Sequence, residues 1–148
     1  MCRLHYRFRW GTYVESFTPI EFERIVAEEW PSAVPERFRA LVQNVEVLVE
    51  DEPSDEVRRA QGLGEGETLL GLYTGIPLTE RGSEYGVGAT MPDTITLYRL
   101  PILDEAAETG GDVRAVVRDT LWHECAHYFG MEEHDVRRRE DSGTNTSI

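Results

Sequence analysis

His123-Glu124-Cys125-Ala126-His127-Tyr128-Phe129-Gly130-Met131-Glu132-Glu133-His134-Asp135 holds three of the four histidines of this 148-residue chain. The apolar series Val113, Val117, Leu121 and Trp122 leads into it with helical spacing. That series predicts one long helix, capped at Asp112, packed on a core and ended at Gly130. Four residues apart on a helix, His123 and His127 project from one face and can share a metal ion. Glu124 sits about 100° further round, where its carboxylate can reach a water at the metal without ligating it. Two neutral imidazoles, a third protein ligand and an open position make a catalytic zinc site, with the glutamate as general base. A chain of this composition acquires the HExxH spacing by accident in roughly one shuffle in a hundred, and with Gly130 as well in about one in a thousand. The competing reading is an acidic surface helix without metal, which the apolar stripe argues against.

Gly130 stands where a left-handed C-terminal cap would let the chain fold back and bring a third ligand from the next few residues. Glu133 has the spacing for that role. His134, a softer donor, and Asp135 are the alternatives the residues leave open. Cys125, inside the motif, points away from the histidine face and reads as a small buried hydrophobe. Asp119, one turn before His123, is either an acceptor that orients an imidazole or an ordinary exposed carboxylate. Tyr73, Tyr85 and Tyr98 are candidates for stabilising an oxyanion, with packing the alternative for each.

Upstream, Thr18-Pro19-Ile20-Glu21 combines an N-cap, a first-turn proline and a capping-box glutamate, so a helix should run from there until Pro31 stops it. A second short helix follows Pro35, and a third opens at Pro53-Ser54. Residues 44–50, 69–73 and 94–98 have strand character, and Pro101 should begin another short helix. Between the last two strands, residues 75–93 form a long glycine-bearing loop of the functional kind. The reading is an α+β fold: a small mixed β-sheet packed by helices, with the active-site helix near the C-terminus. Residues 18–148 should make a single domain, with residues 1–17, basic and aromatic, as a leader or an extra edge strand.

The segments Val45–Val49 with Glu50-Asp51-Glu52-Pro53-Ser54, Gly66–Tyr73, Gly75–Arg81, Pro92-Asp93, Leu97-Tyr98-Arg99 and Asp119–Glu124, joined to HExxHxxG, resemble the minimal zincins (mini-zincins). These are small bacterial zincin-like metallopeptidases, and the likeness covers most of residues 19–135. It implies a zincin-like fold, zinc as cofactor, His123 and His127 as ligands and Glu124 as catalytic base. Where this chain has Glu133 the family commonly carries an acidic residue, typically aspartate; the longer metzincin pattern has histidine there. The likeness also implies a peptide or protein substrate paired along the strand before the active-site helix, here Thr94–Tyr98.

Charge narrows the partners. All 15 cations are arginine, set against 28 carboxylates, for a formal net charge of −13. Such a surface repels phosphate backbones and anionic lipid, so neither nucleic acid nor membrane is an expected partner. The triplet Arg137-Arg138-Arg139 is flanked by Asp135, Glu140 and Asp141, which offset its field. Two cysteines and no secretory signal lead to an expected cytoplasmic address. The rival functions are a zincin scaffold without turnover, serving as a metal-binding or interaction module, and a metal-dependent amidase acting on a non-protein amide.

Overall fold

The computed structural model describes residues 3–5, 17–86, 91–110, 112–131, 135 and 138. Its elements run β1 (Arg3–His5), α1 (Pro19–Ala33), α2 (Glu36–Arg39), β2 (Val45–Glu50), α3 (Asp55–Ala60), β3 (Glu67–Leu69), β4 (Gly71–Thr74), β5 (Asp93–Tyr98), α4 (Arg99–Glu108) and α5 (Val113–Tyr128). A 3₁₀ turn, Leu78–Glu80, lies between β4 and β5. This is the expected mixed architecture of a small sheet covered by helices. No helix among the described residues is long and apolar enough to cross a membrane.

Helix α1 begins on a complete capping box: Thr18 Oγ1 accepts from the Glu21 N–H, and the Thr18 N–H donates to Glu21 Oε2 at 2.8 Å. Pro31 does not stop it, contrary to the sequence reading. In the last turn a proline forfeits one backbone bond while its fixed φ still suits a helix. The Val34 N–H closes that turn on the Trp30 carbonyl at 3.1 Å. Pro35 supplies the stop, since the residue before a proline is forced out of the α region, and Val34 is extended. Helix α4 likewise starts two residues before Pro101, which sits in the first turn where a missing N–H costs nothing.

The main sheet has the order β2-β5-β4. Strand β5 pairs in parallel with β2, from Val45 opposite Asp93 to Glu50 opposite Tyr98, and antiparallel with β4. One face meets α1 and α5, burying Phe22, Ile25, Val26, Ile95, Leu97 and Leu121. The other carries Leu72 and Tyr98, which cluster with Leu69 of β3, Val57 and Leu63. Strand β1 pairs antiparallel with β3 in a separate ribbon. Most of residues 1–17, Cys2 included, lies outside the described residues.

The topology corrects the expected docking strand. Residues Thr94–Tyr98 lie in the central strand, and their hydrogen-bonding groups are taken up on both sides. The edge nearest α5 belongs to β4. Gly71 permits that approach: a Cβ there would stand 2.8 Å from Thr120 Cγ2 and 3.1 Å from Glu124 Cγ.

Candidate active site

Asp112 caps α5 by accepting from the Arg114 N–H, and the helix carries His123, Glu124 and His127 on its last two turns. His123 is 2% exposed and Glu124 fully buried. The imidazole rings lie 5.2 Å apart between centroids, inclined at 67°. One turn of helix therefore brings the two expected ligands side by side.

The helix terminus orients the second of them. Gly130 adopts φ +81°, a left-handed conformation that favours glycine. The Met131 N–H then bonds back to the Ala126 carbonyl and the Gly130 N–H to the His127 carbonyl, a paired C-terminal cap. This turn sets the Met131 carbonyl 3.1 Å from His127 Nδ1. A carbonyl only accepts, so Nδ1 carries the proton and neutral His127 keeps its lone pair on Nε2. That is the arrangement a metal-binding histidine requires.

Glu124 is held from the sheet. Successive β4 residues alternate their backbone groups toward and away from β5, and the Tyr73 N–H points away. It donates to Glu124 Oε2 at 3.0 Å. The Tyr73 hydroxyl donates to Asp93 Oδ2. Asp93 also accepts from the Ile76 N–H at 3.2 Å and from Arg81 Nη2 at 2.8 Å. Arg81 reaches the carbonyls of Ile76 and Gln43, and its guanidinium lies over the rings of Tyr85 and Tyr128. Burial alone would lower the Arg81 pKa; the Asp93 bond and the neighbouring phenols outweigh it, and the net shift is upward. Burial, then the Asp93 carboxylate, push the Tyr73 phenol far above its ordinary value.

A cleft of about 460 Å³ opens over this arrangement, with Leu72, Tyr73, Thr79, Glu80, Glu124 and His127 in its lining. The tyrosine candidates divide clearly. Tyr73 lines the cleft but its hydroxyl is committed to Asp93. Tyr85 accepts from Asn44 Nδ2. Tyr98 is 1% exposed, and burial first, then the charges of Glu50 and Glu124, push its phenol up to about 12. Cys125 lies wholly in the core, its thiol raised to about 12 by burial, which removes it as a nucleophile at neutral pH. Asp119 is exposed on α5.

For the third ligand, Glu133 and His134 lie outside the described residues. Asp135 accepts from Arg138 Nη2 at 2.9 Å. Among the described residues, no group of three or more histidine, cysteine or carboxylate side chains is arranged to hold a metal. The sequence reading missed the Tyr73–Asp93–Arg81 network and the Met131 acceptor. The second was within reach, because a left-handed cap at Gly130 turns the next carbonyl back toward the helix end.

No curated protein matches the chain. Residues 42–143, from before β2 to beyond α5, match the family described as Zincin-like metallopeptidase. A strand-edged cleft over an HExxH helix thus coincides with a family match covering more than half the sequence. The chain belongs to the zincin-like metallopeptidases.

Proposed function

We propose that this protein is a zinc-dependent peptidase of the minimal zincin type, with His123 and His127 as ligands, Glu133 as the third and Glu124 as general base. The observation that carries the reading is the placement of Glu124: buried, fixed by the Tyr73 N–H at 3.0 Å, and sharing one cleft with His127. The donors suit zinc. Two imidazoles stand one helical turn apart, and the bond from His127 Nδ1 to Met131 leaves the other ring nitrogen as donor. Zinc, when bound, supplies Lewis acidity that polarises a carbonyl and brings the pKa of water toward neutrality.

The remaining work belongs to the chain. Glu124 takes a proton from the attacking water and passes it to the leaving amine, and the Tyr73 N–H keeps the carboxylate in place through both transfers. An extended peptide lying beside β4, rather than β5, would present its scissile bond to Glu124. Glu133 as a ligand would complete the shell with a carboxylate, His134 or Asp135 being the alternatives.

Zinc content and cleavage of a mixed peptide library, measured on the same preparations, test the reading. Glu124→Gln keeps size and shape but removes the base, so zinc should stay while hydrolysis falls by about 10²–10⁴-fold. His123→Ala should leave weakly held, readily chelated zinc. Glu133→Ala should weaken zinc binding and His134→Ala change it little. The opposite pattern would move the third ligand to His134. Retention of full activity in Glu124→Gln would mean that the hydrolysis comes from elsewhere.

A further inference from the structure

We propose that the cleft selects peptides with a cationic side chain, arginine or lysine, close to the scissile bond, and that Glu80 is the residue that reads it. The proposal rests on the peptidase reading and assigns its substrate class.

Glu80 ends the 3₁₀ turn Leu78–Glu80 and lines the same cleft as Glu124 and His127. Its side chain is exposed and makes no ion pair or hydrogen bond with the described residues. A free carboxylate on a loose loop would mean little, but this one is pinned from both neighbours. Thr79 packs onto Gly130 so closely that a Cβ on the glycine would meet Thr79 Oγ1 at 2.4 Å. Arg81, 6% exposed, is anchored by Asp93, Ile76 and Gln43. The backbone at residue 80 is therefore held between the end of the active-site helix and the buried network, which confines the volume its carboxylate can sweep to the cleft rim.

The sign of the site follows. Among the described residues, the cleft lining carries two carboxylates, Glu80 and Glu124, and no arginine. The adjacent Arg81 has its charge matched by Asp93 and directed away into the core. Thr79, also in the lining, offers a neutral oxygen for a remaining donor of a guanidinium or ammonium group. An acidic substrate side chain beside Glu80 would face a like charge, so this position discriminates by repulsion as well as by attraction. The net charge of −13 adds long-range attraction for basic peptides.

The test uses the full chain loaded with zinc. Fluorescent heptapeptides carry arginine, citrulline or glutamate at each position in turn; citrulline matches arginine in shape without its charge. Binding is read by anisotropy on the Glu124→Gln protein, and cleavage on the wild type. At one position the arginine peptide should bind about three- to fivefold more tightly than its citrulline twin, the range of one exposed ion pair. The glutamate peptide should bind most weakly, and the gap should shrink as salt is added. Adding Glu80→Gln should erase the arginine preference, whereas Glu84→Gln, an exposed carboxylate outside the lining, should keep it. Equal binding of arginine and citrulline peptides, absence of binding by any of them, or a preference surviving Glu80→Gln would overturn the proposal. Binding without cleavage of any peptide by wild type would remove the peptidase reading, while the binding ranks still decide the role of Glu80.

Discussion

Helix α5 is flanked by two sets of arginine–carboxylate bonds, the first made by its own arginines and the second meeting it through the Tyr128 hydroxyl, to which Arg81 Nη1 donates at 3.4 Å. Toward its N-terminus Arg114 and Arg118 donate to Glu29 of α1, each at 3.0 Å, and Arg114 also pairs with Glu28. Beyond its C-terminus Arg81 and Asp93 pair at 2.8 Å beside Tyr128. Both arginines of the first tie are about 40% exposed, whereas Arg81 and Asp93 are 6% and 3% exposed. Water and salt screen the first tie; little screens the second. The difference follows what each end must do. Near the N-terminus two helices need only stay together, and the apolar stripe already ensures that. At the other end a strand must hold its N–H against a buried glutamate, which needs directional bonds to Tyr73 and its neighbours.

The sharpest way to break this contrast is to remove one partner from each tie. Arg81→Ala would leave Asp93 buried without its cation and should cost about 3–5 kcal/mol in denaturant unfolding. It should also loosen the turn that carries Glu80. Glu29→Gln should cost far less. Equal losses at the two sites would show that burial is not what separates them.

Helix α5 itself and the network beyond its C-terminus differ in legibility. Helix α5 can be read because helical spacing, Asp112 and Gly130 are local signals, each visible within a few residues. Arg81 and Asp93 could not be paired, because they are joined through a loop and a strand start whose meeting depends on the whole sheet. The position of β5 was hidden for a related reason. Thr94-Ile95-Thr96-Leu97 alternates like a half-buried strand, yet Thr96 is only 9% exposed, because the residues packed around Leu72 and Tyr98 cover that face too. Strand order is a property of non-local pairing, and alternation along one strand does not encode it.

A steric change at the cleft end gives a smaller effect. Gly71→Ala drives a methyl into Thr120 and Glu124, so α5 must shift from β4 at a cost of about 1–3 kcal/mol. Because the shift moves Glu124 relative to the Tyr73 N–H, peptide hydrolysis should fall further than stability alone explains. Gly82→Ala is the control, with nothing within 4 Å of the added carbon, and should be close to neutral. A Gly71→Ala protein with unchanged melting and turnover would mean that the strand and helix are not held as closely as the structure has them.

The smallest expected effect isolates charge from packing at the open tie. The Arg114 and Arg118 hydrogen bonds hold Glu29 below its ordinary value of 4.5, burial opposing them. A lowered native pKa means that the folded chain binds this proton less readily than the unfolded one. The stabilisation is therefore fully present above pH 4.5 and is lost as pH falls through the lowered native value. At pH 7 and low salt Glu29→Gln should reduce stability by about 1 kcal/mol or less, the range for a screened pair. The gap between wild type and variant should narrow with added salt and close only below the lowered native value, where Glu29 is protonated in folded and unfolded chains alike. If it stays constant across that range, the tie between α1 and α5 is made by packing of the glutamate stem, and the two ends of the helix differ in kind rather than in screening.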